Sequence, residues 1–224
     1  MDLAPLSELT HLSNRSAIVT GGAMGIGFGI AYRLAEAGAG VVIADMNKVA
    51  ADEAAAKIKA KGWKATPINA DVTNPADVEK VVGAALKSYG SVNILVNNAG
   101  IYPIAPVMQL SQAEFDRIIA VNLKGAFLCT QAVAAQMIKQ GKGGKIINIT
   151  SVDAIHPSNV GLATYDASKH GLWGFTKNVA LELAPHKIWV NAIAPGGVST
   201  PGTGADKPAS KEMEKILSSF RQRI

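Results

Sequence analysis

In the stretch Tyr165-Asp166-Ala167-Ser168-Lys169, a phenol and an ammonium stand four positions apart. Positions four apart share one face of a helix, so both side chains point the same way. The lysine charge favours phenolate over phenol and lowers a tyrosine pKa that starts near ~10. A phenol tuned toward neutrality passes a proton to or from an alcohol oxygen. Ahead of it, the apolar run Ile146-Ile147-Asn148-Ile149 reads as a buried strand that delivers Thr150 and Ser151 to its carboxyl end. Ser151 is placed there to hold the same oxygen. An isolated Tyr-x-x-x-Lys occurs on many helices, so its meaning depends on what the rest of the chain supplies.

The first such element is a short apolar strand, Ser16-Ala17-Ile18-Val19-Thr20, running directly into Gly21-Gly22-Ala23-Met24-Gly25-Ile26-Gly27. A helix with apolar positions at Ile30, Leu34 and Ala37 follows and ends at Gly38. Strand, glycine turn and helix N-terminus make an anion site, because glycine lets the backbone approach a pyrophosphate and free N–H groups favour its charge. The next strand, Val41-Val42-Ile43-Ala44, ends at Asp45. An acid at that place accepts hydrogen bonds from an adenosine ribose and repels a 2′-phosphate, which favours NAD over NADP.

The remaining elements alternate. A lysine- and alanine-rich helix over 48–61 closes at Gly62, and a strand over 65–69 leads to Asp71-Val72. Asn74-Pro75 starts a helix that runs to about Tyr89-Gly90. The strand Ile94-Leu95-Val96 ends in Asn97-Asn98-Ala99-Gly100, and a helix over 111–120 precedes Val121-Asn122-Leu123-Lys124-Gly125 and another helix to Met137. The helix at Tyr165 continues to Leu183-Ala184-Pro185, and a last strand, Trp189-Val190-Asn191-Ala192-Ile193, gives way to Pro195-Gly196-Gly197-Val198-Ser199-Thr200. Apolar strands alternating with helices predict an α/β fold: a doubly wound, Rossmann-type parallel sheet with helices on both faces. Ligands bind such sheets at the strand carboxyl ends, where every motif above falls.

A chain of 224 residues, 48% hydrophobic and 17% charged, fits one compact domain over 1–224, with a polar lead-in over 1–14. Cys129 has no second cysteine to pair with, which points to a reducing, cytoplasmic setting. No membrane span is expected. The net charge of +5 is spread over lysines such as Lys48, Lys57, Lys59, Lys61 and Lys80 without interleaved aromatics, so no nucleic-acid partner is expected. His11, His156, His170 and His186 are too scattered to form a metal site.

The chain resembles the short-chain dehydrogenase/reductase family from Ser16 onward, and it does so on quoted residues. These are Thr20-Gly21-x-x-x-Gly25-x-Gly27, Asp71-Val72, Asn97-Asn98-Ala99-Gly100, Asn122, Ser151, Tyr165-x-x-x-Lys169, Asn191 and Pro195-Gly196. The resemblance implies that Tyr165 is the general acid/base and that Ser151 holds the substrate oxygen. It implies that Lys169 lowers the tyrosine pKa and binds the nicotinamide ribose, and that Asn122 helps hold a water in a proton relay. By the same resemblance Gly21, Gly25, Ile26 and Gly27 surround the cofactor phosphates and adenosine ribose. Asp71 and Val72 flank the adenine, Asn98, Ala99 and Gly100 line the cleft, and Pro195, Gly196, Val198 and Thr200 lie along the nicotinamide. Members of the single-domain branch continue into a further helix and a final sheet strand, which implies that the sequence is truncated or lacks a segment after Ile224. A homotetramer packed through the helices at Lys124 and Tyr165 is also implied.

The expected function is an NAD-dependent oxidoreductase that interconverts a secondary alcohol and its ketone. The substrate lid is expected over 201–224, with a helix over 210–220. Tyr102, Pro103, Asp153, Ala154, His156 and Asn159 are expected at the pocket mouth, where Asp153 and His156 hydrogen-bond polyol or sugar hydroxyls. A 3-oxoacyl thioester is the competing substrate, and a non-catalytic NAD-binding sensor is the alternative of another class. A hydrolase is excluded, since Ser151 lacks a Gly-x-Ser-x-Gly elbow.

Overall fold

The computed structural model describes residues 10–200; the lid expected over 201–224 lies outside them. Strand β1 (Ser16–Thr20) is buried at all five positions, as a strand covered on both faces must be. It feeds α1 (Gly25–Glu36) through the glycine turn. β2 (Gly40–Asp45) follows, then α2 (Lys48–Lys59), β3 (Ala65–Asn69) and α3 (Pro75–Tyr89). β4 (Ile94–Asn97) leads to α4 (Gln112–Ile119) and α5 (Gly125–Gln140). β5 (Gly144–Ile149), α6 (Ala163–Leu183) and β6 (Ile188–Ile193) complete the described chain.

The helix starts are set by side chains that replace missing backbone partners. Asn47 accepts from Ala50 N at 3.1 Å, Asn74 accepts from Ala76 N at 3.0 Å with Pro75 in the first turn, and Ser111 accepts from Glu114 N at 3.2 Å. α3 stops at Gly90, whose φ of 76° is left-handed.

All six strands are parallel, in the order β3-β2-β1-β4-β5-β6. The direction of winding reverses between β1 and β4, and the crevice at their carboxyl ends is where such sheets take ligands. Alternate strand residues feed two cores. Ile18, Val42, Leu95, Ile146 and Ile188 pack with Val81, Val133, Met137 and Val179 on the side of α3, α5 and α6. Ala17, Val19, Val41, Ile43 and Val96 pack with Ala31, Ala35, Ala54 and Ile58 on the side of α1 and α2. The doubly wound parallel sheet expected from the sequence is the observed fold.

One expectation is corrected. The helices over 111–120 and up to Met137 are not separate: a π-helical turn, Ala120–Lys124, joins α4 to α5. The joined run Gln112–Gln140 is also long and apolar enough, by length and composition, to match a membrane span. Splitting it hid this in the sequence. In the fold it is a core helix, since Ile118, Asn122, Cys129, Val133 and Met137 are buried.

Candidate active site

Thr20, the last residue of β1, ties the two central strand ends together. Its Oγ1 accepts from Asn98 N at 3.0 Å and from Ala99 N at 3.1 Å. Asn98 Nδ2 donates back to the carbonyls of Thr20 and Gly21, both at 3.0 Å. This clamp leaves Gly27 no room for a side chain: a Cβ there would lie 2.1 Å from Gly21 O and 2.5 Å from Asn98 Nδ2. Gly21 and Gly25 have φ of 59° and 56°, a region that favours glycine. Met24 offers no side-chain cap to α1 and the first turn carries no acid, an arrangement that suits an anion at the helix start around Gly25, Ile26 and Gly27.

Asp45 sits at the rim of this turn. Its Oδ2 accepts from Ala23 N at 3.2 Å and its Oδ1 from Asn47 N at 3.0 Å. Asp71 turns its carboxylate on Thr73 N and Oγ1, both at 2.8 Å, while Val72 packs where a side chain on Gly125 would go. At the other strand ends, Thr200 lies 3.4 Å from where a Gly25 Cβ would sit, and Val152 N donates to Pro195 O at 3.0 Å. Gly196 is near Val152, and Val198 is exposed. An open groove of about 850 Å³ starts at Gly25, Ile26, Pro195 and Thr200 but runs outward along Phe28 and Arg33. Ser151 and Tyr165 do not line it, so it does not mark the reacting centre.

The candidate reacting groups converge at the end of β5. Lys169 is buried, and its Nζ donates to Ile149 O at 2.8 Å and lies 5.6 Å from the centre of the Tyr165 ring. A Cβ on Gly100 would be 3.4 Å from Asn122 Oδ1 and 3.6 Å from Lys169 Nζ, so these three residues meet. Asn122 is held in the π-helical turn. Its Oδ1 accepts from Ile101 N at 2.8 Å, and its Nδ2 donates to Ile101 O at 2.9 Å and to Ser168 Oγ at 3.0 Å. Tyr102 meets Tyr165 edge to face, ring centres 6.2 Å apart.

Burial pushes the Tyr165 phenol above its ordinary pKa; the Ser151 hydroxyl opposes this and the Asp153 charge adds to it. Burial likewise pushes Lys169 down to about 8. Tyr165 and Lys169 share a helix face as expected, and the Lys169 ammonium is directed at the Ile149 carbonyl.

Asp153 stands next to Ser151: it is only 7% exposed, and its Oδ2 accepts from Ser151 Oγ at 2.8 Å. His156 is exposed, three residues further along the same loop. Two supports escaped the sequence reading. Ser168, fully buried, donates to Tyr165 O at 2.6 Å and accepts from Asn122. Beneath the site, Asn97 donates to Asn148 at 2.8 Å and Asn148 to Thr176 at 2.9 Å. Single polar residues inside apolar strands and helices were the only signal of this ladder.

A uncapped helix start at the winding reversal, left-handed glycines and an acid at the end of β2 together suit a dinucleotide. Among the described residues no group of histidine, cysteine, aspartate or glutamate is placed to hold a metal.

Comparison with known proteins agrees with this geometry. The family model for short chain dehydrogenases matches residues 15–211. The chain is 42% identical over 193 residues to a 3-oxoacyl-[acyl-carrier-protein] reductase of Synechocystis sp., covering 86% of this chain and 77% of that one. It is 38% identical over 187 residues to a diacetyl reductase, (S)-acetoin forming, of Staphylococcus epidermidis, covering 84% and 72%. A short-chain type dehydrogenase/reductase from Mycobacterium marinum superposes with a TM-score of 0.89 at 34% identity, covering 97% of this chain and 83% of that one.

Proposed function

The chain belongs to the short-chain dehydrogenase/reductase family, and from that membership we propose that it is an NAD-linked enzyme interconverting a secondary alcohol of polyol or sugar type and its ketone. Its class is an oxidoreductase using NAD(H) or NADP(H). The observation that carries the proposal is the meeting of Ser151, Tyr165 and Lys169 at the end of β5, beside the glycine turn of β1.

A bound nicotinamide supplies the hydride acceptor or donor. In this reading Tyr165 takes the proton from the alcohol oxygen, or returns it to the carbonyl oxygen, and Ser151 donates a hydrogen bond to that same oxygen. The Lys169 ammonium, fixed by Ile149 O, supplies positive charge that stabilises phenolate once the site is filled. Asn122 links the turn after Gly100 to the Ser168 hydroxyl, which in turn donates to Tyr165 O, and so helps fix where Tyr165 stands relative to the cleft. The roles of Gly21, Gly25, Ile26, Gly27, Asp71, Val72, Asn98, Pro195, Gly196, Val198 and Thr200 as cofactor contacts belong to the same proposal.

Asp45 supports NAD, since a carboxylate at the end of β2 repels a 2′-phosphate. A homotetramer and a reducing, cytoplasmic setting go with this reading. The exposed Phe127, Trp173 and Leu181 on α5 and α6 support the first, and the lone buried Cys129 supports the second.

The second reading is a 3-oxoacyl-thioester reductase, favoured by the similarity to the Synechocystis protein. A panel of polyols, aldoses, simple secondary alcohols and 3-hydroxyacyl thioesters, run with NAD and with NADP, separates the two by the absorbance of the reduced cofactor. Tyr165→Phe should lower turnover by at least about a hundredfold while cofactor binding persists. Binding of cofactor without turnover of any substrate would leave the sensor reading in its place.

A further inference from the structure

The net charge of +5 looks scattered along the chain, but the fold sorts it along the strand direction. Asp45, Asp71 and Asp153 follow strand carboxyl ends, and on that side Lys48, Lys80 and Arg117 are each held by an acid of their own helix. At the amino ends the balance is reversed. Arg15 precedes β1, Lys64 precedes β3, Lys142 and Lys145 flank the start of β5, and Lys187 precedes β6. All five are exposed, and among the described residues none is paired with an acid. Of the described acids at this end, Glu36 is taken by Arg33, which leaves Glu182.

Helix dipoles do not account for these five. Lys59, Lys87 and Lys139 stand in the last turns of α2, α3 and α5, where the dipole favours a cation. Arg15, Lys64, Lys142, Lys145 and Lys187 lie in turns or at a strand start, outside those helices. The sheet sets their spacing: neighbouring strands are ~4.8 Å apart, so a row from β3 to β6 runs roughly 24 Å along one edge. The row is densest at β5 and β6. Gly144 N donates to Lys187 O at 3.1 Å, and Gly143 has no room for a side chain against the same carbonyl, so the turn carrying Lys142 is seated on Lys187. Lys145 faces Trp189 across the two strands, its Nζ 4.7 Å from the ring centre, and Trp189 is 63% exposed.

A rigid row of unpaired cations beside an exposed aromatic ring matches a phosphate chain that carries bases: the cations neutralise phosphates and the ring stacks on a base. We infer that this edge of the sheet binds single-stranded nucleic acid, with the five cations on its phosphates and Trp189 against a base. No such partner was expected from lysines without interleaved aromatics, because Lys145 and Trp189 are far apart in sequence and become neighbours only in the sheet. An anionic membrane fits less well, since it calls for apolar side chains that project past the cations. Trp63, beside Lys64, packs on Tyr32 instead. An acidic carrier protein seated here could not deliver a substrate, because Ser151 lies beyond the far end of β5, roughly 20 Å away. The inference is independent of the oxidoreductase reading.

The test is fluorescence anisotropy of the full chain with a labelled oligo(dT) of about twenty nucleotides. Binding should weaken roughly fiftyfold or more between about 50 and about 200 mM salt, as about four or five neutralised phosphates require. Lys142→Gln, Lys145→Gln and Lys187→Gln together should weaken it at least about tenfold, whereas Lys80→Gln, Arg117→Gln and Lys177→Gln, which remove the same charge elsewhere, should leave it within about threefold. Trp189→Ala should weaken it about fivefold or more with the salt slope unchanged. If the first triple variant fails to fold, Lys142→Gln alone, on an exposed turn, should still lower the salt slope by about one phosphate. No binding at about 50 mM salt, a salt-independent affinity, or an equal loss in the two triple variants overturns the inference. Displacement by saturating NAD or NADP also overturns it, since the strand would then lie in the cofactor cleft. Tighter binding to phosphatidylglycerol vesicles, or displacement by polyglutamate as readily as by unlabelled oligo(dT), likewise overturns it in favour of a lipid or an acidic protein. Trp189→Ala without effect overturns the stacking assignment.

Discussion

Lys169, carried by α6, donates its ammonium to the main-chain carbonyl of Ile149 on β5 at 2.8 Å, so the site's buried cation is tied to the strand that delivers Ser151. Burial lowers its pKa to about 8 in the folded chain, whereas an exposed lysine titrates near ~10.4. Below pH 8 both states hold the proton and the fold bears the cost of a desolvated charge. As pH rises from about 8 toward 10.5, the folded state releases the proton first and that cost disappears. Stability should therefore rise with pH in this window, by up to roughly 3 kcal/mol from this group. Urea unfolding of the cofactor-free protein beside Lys169→Met checks it, because the variant should lack this component.

The Asp153 charge helps hold the Tyr165 phenol up. Asp153→Asn removes that charge and favours phenolate, so the acid limb of the alcohol-oxidation rate should move to lower pH. A limb that stays in place, in a folded variant, would mean that the charge of Asp153 does not reach the phenol.

Asp45 uses both carboxylate oxygens on the backbone of the cofactor rim, Ala23 N and Asn47 N. Asp45→Ser should raise the KM for NAD about tenfold and lower that for NADP, because a charge that repels a 2′-phosphate is gone. Steady-state rates with the two cofactors measure the ratio directly. An unchanged ratio would move cofactor choice to other residues.

Gly27 and Gly29 stand two positions apart on α1 and should behave oppositely. A Cβ at Gly27 meets the Gly21 carbonyl at 2.1 Å and Asn98 Nδ2 at 2.5 Å, whereas a Cβ at Gly29 meets nothing within 4 Å. Gly27→Ala should cost about 1–3 kcal/mol or more and abolish cofactor binding. Gly29→Ala should be neutral or stabilising by up to about 1 kcal/mol. Thermal melts and cofactor titration of both variants test the pair.

The sequence was informative where local rules agree. Unbroken apolar runs such as Ala17-Ile18-Val19 can only be strands covered on both faces, and Asn74-Pro75 or Ser111 with Glu114 mark helix starts by their own hydrogen bonds. The spacing of Tyr165 and Lys169 likewise gave their shared face. What sequence could not give was competition between neighbours. Nothing in the sequence signals that burial pushes Tyr165 up and Lys169 down, because burial is a property of the assembled core. Asp153 was expected to face substrate hydroxyls, and nothing local shows that Ser151 turns its hydroxyl toward it. The joining of α4 to α5 was hidden because a π-helical turn uses the same residue types as an α-helical one.

That π-helical turn at Ala120–Lys124 limits how the chain can vary in length. Removing one residue from it would restore an unbroken α-helical ladder, with a gain in backbone regularity. It would also rotate everything on one side by about 100° relative to the other. Asn122 would leave Ile101 and Ser168, or else Cys129, Val133 and Met137 would leave the core. Substitutions along this helix are absorbed one side chain at a time, but a single-residue deletion trades the cleft against the core, so differences in length between relatives belong in the loops at the strand ends.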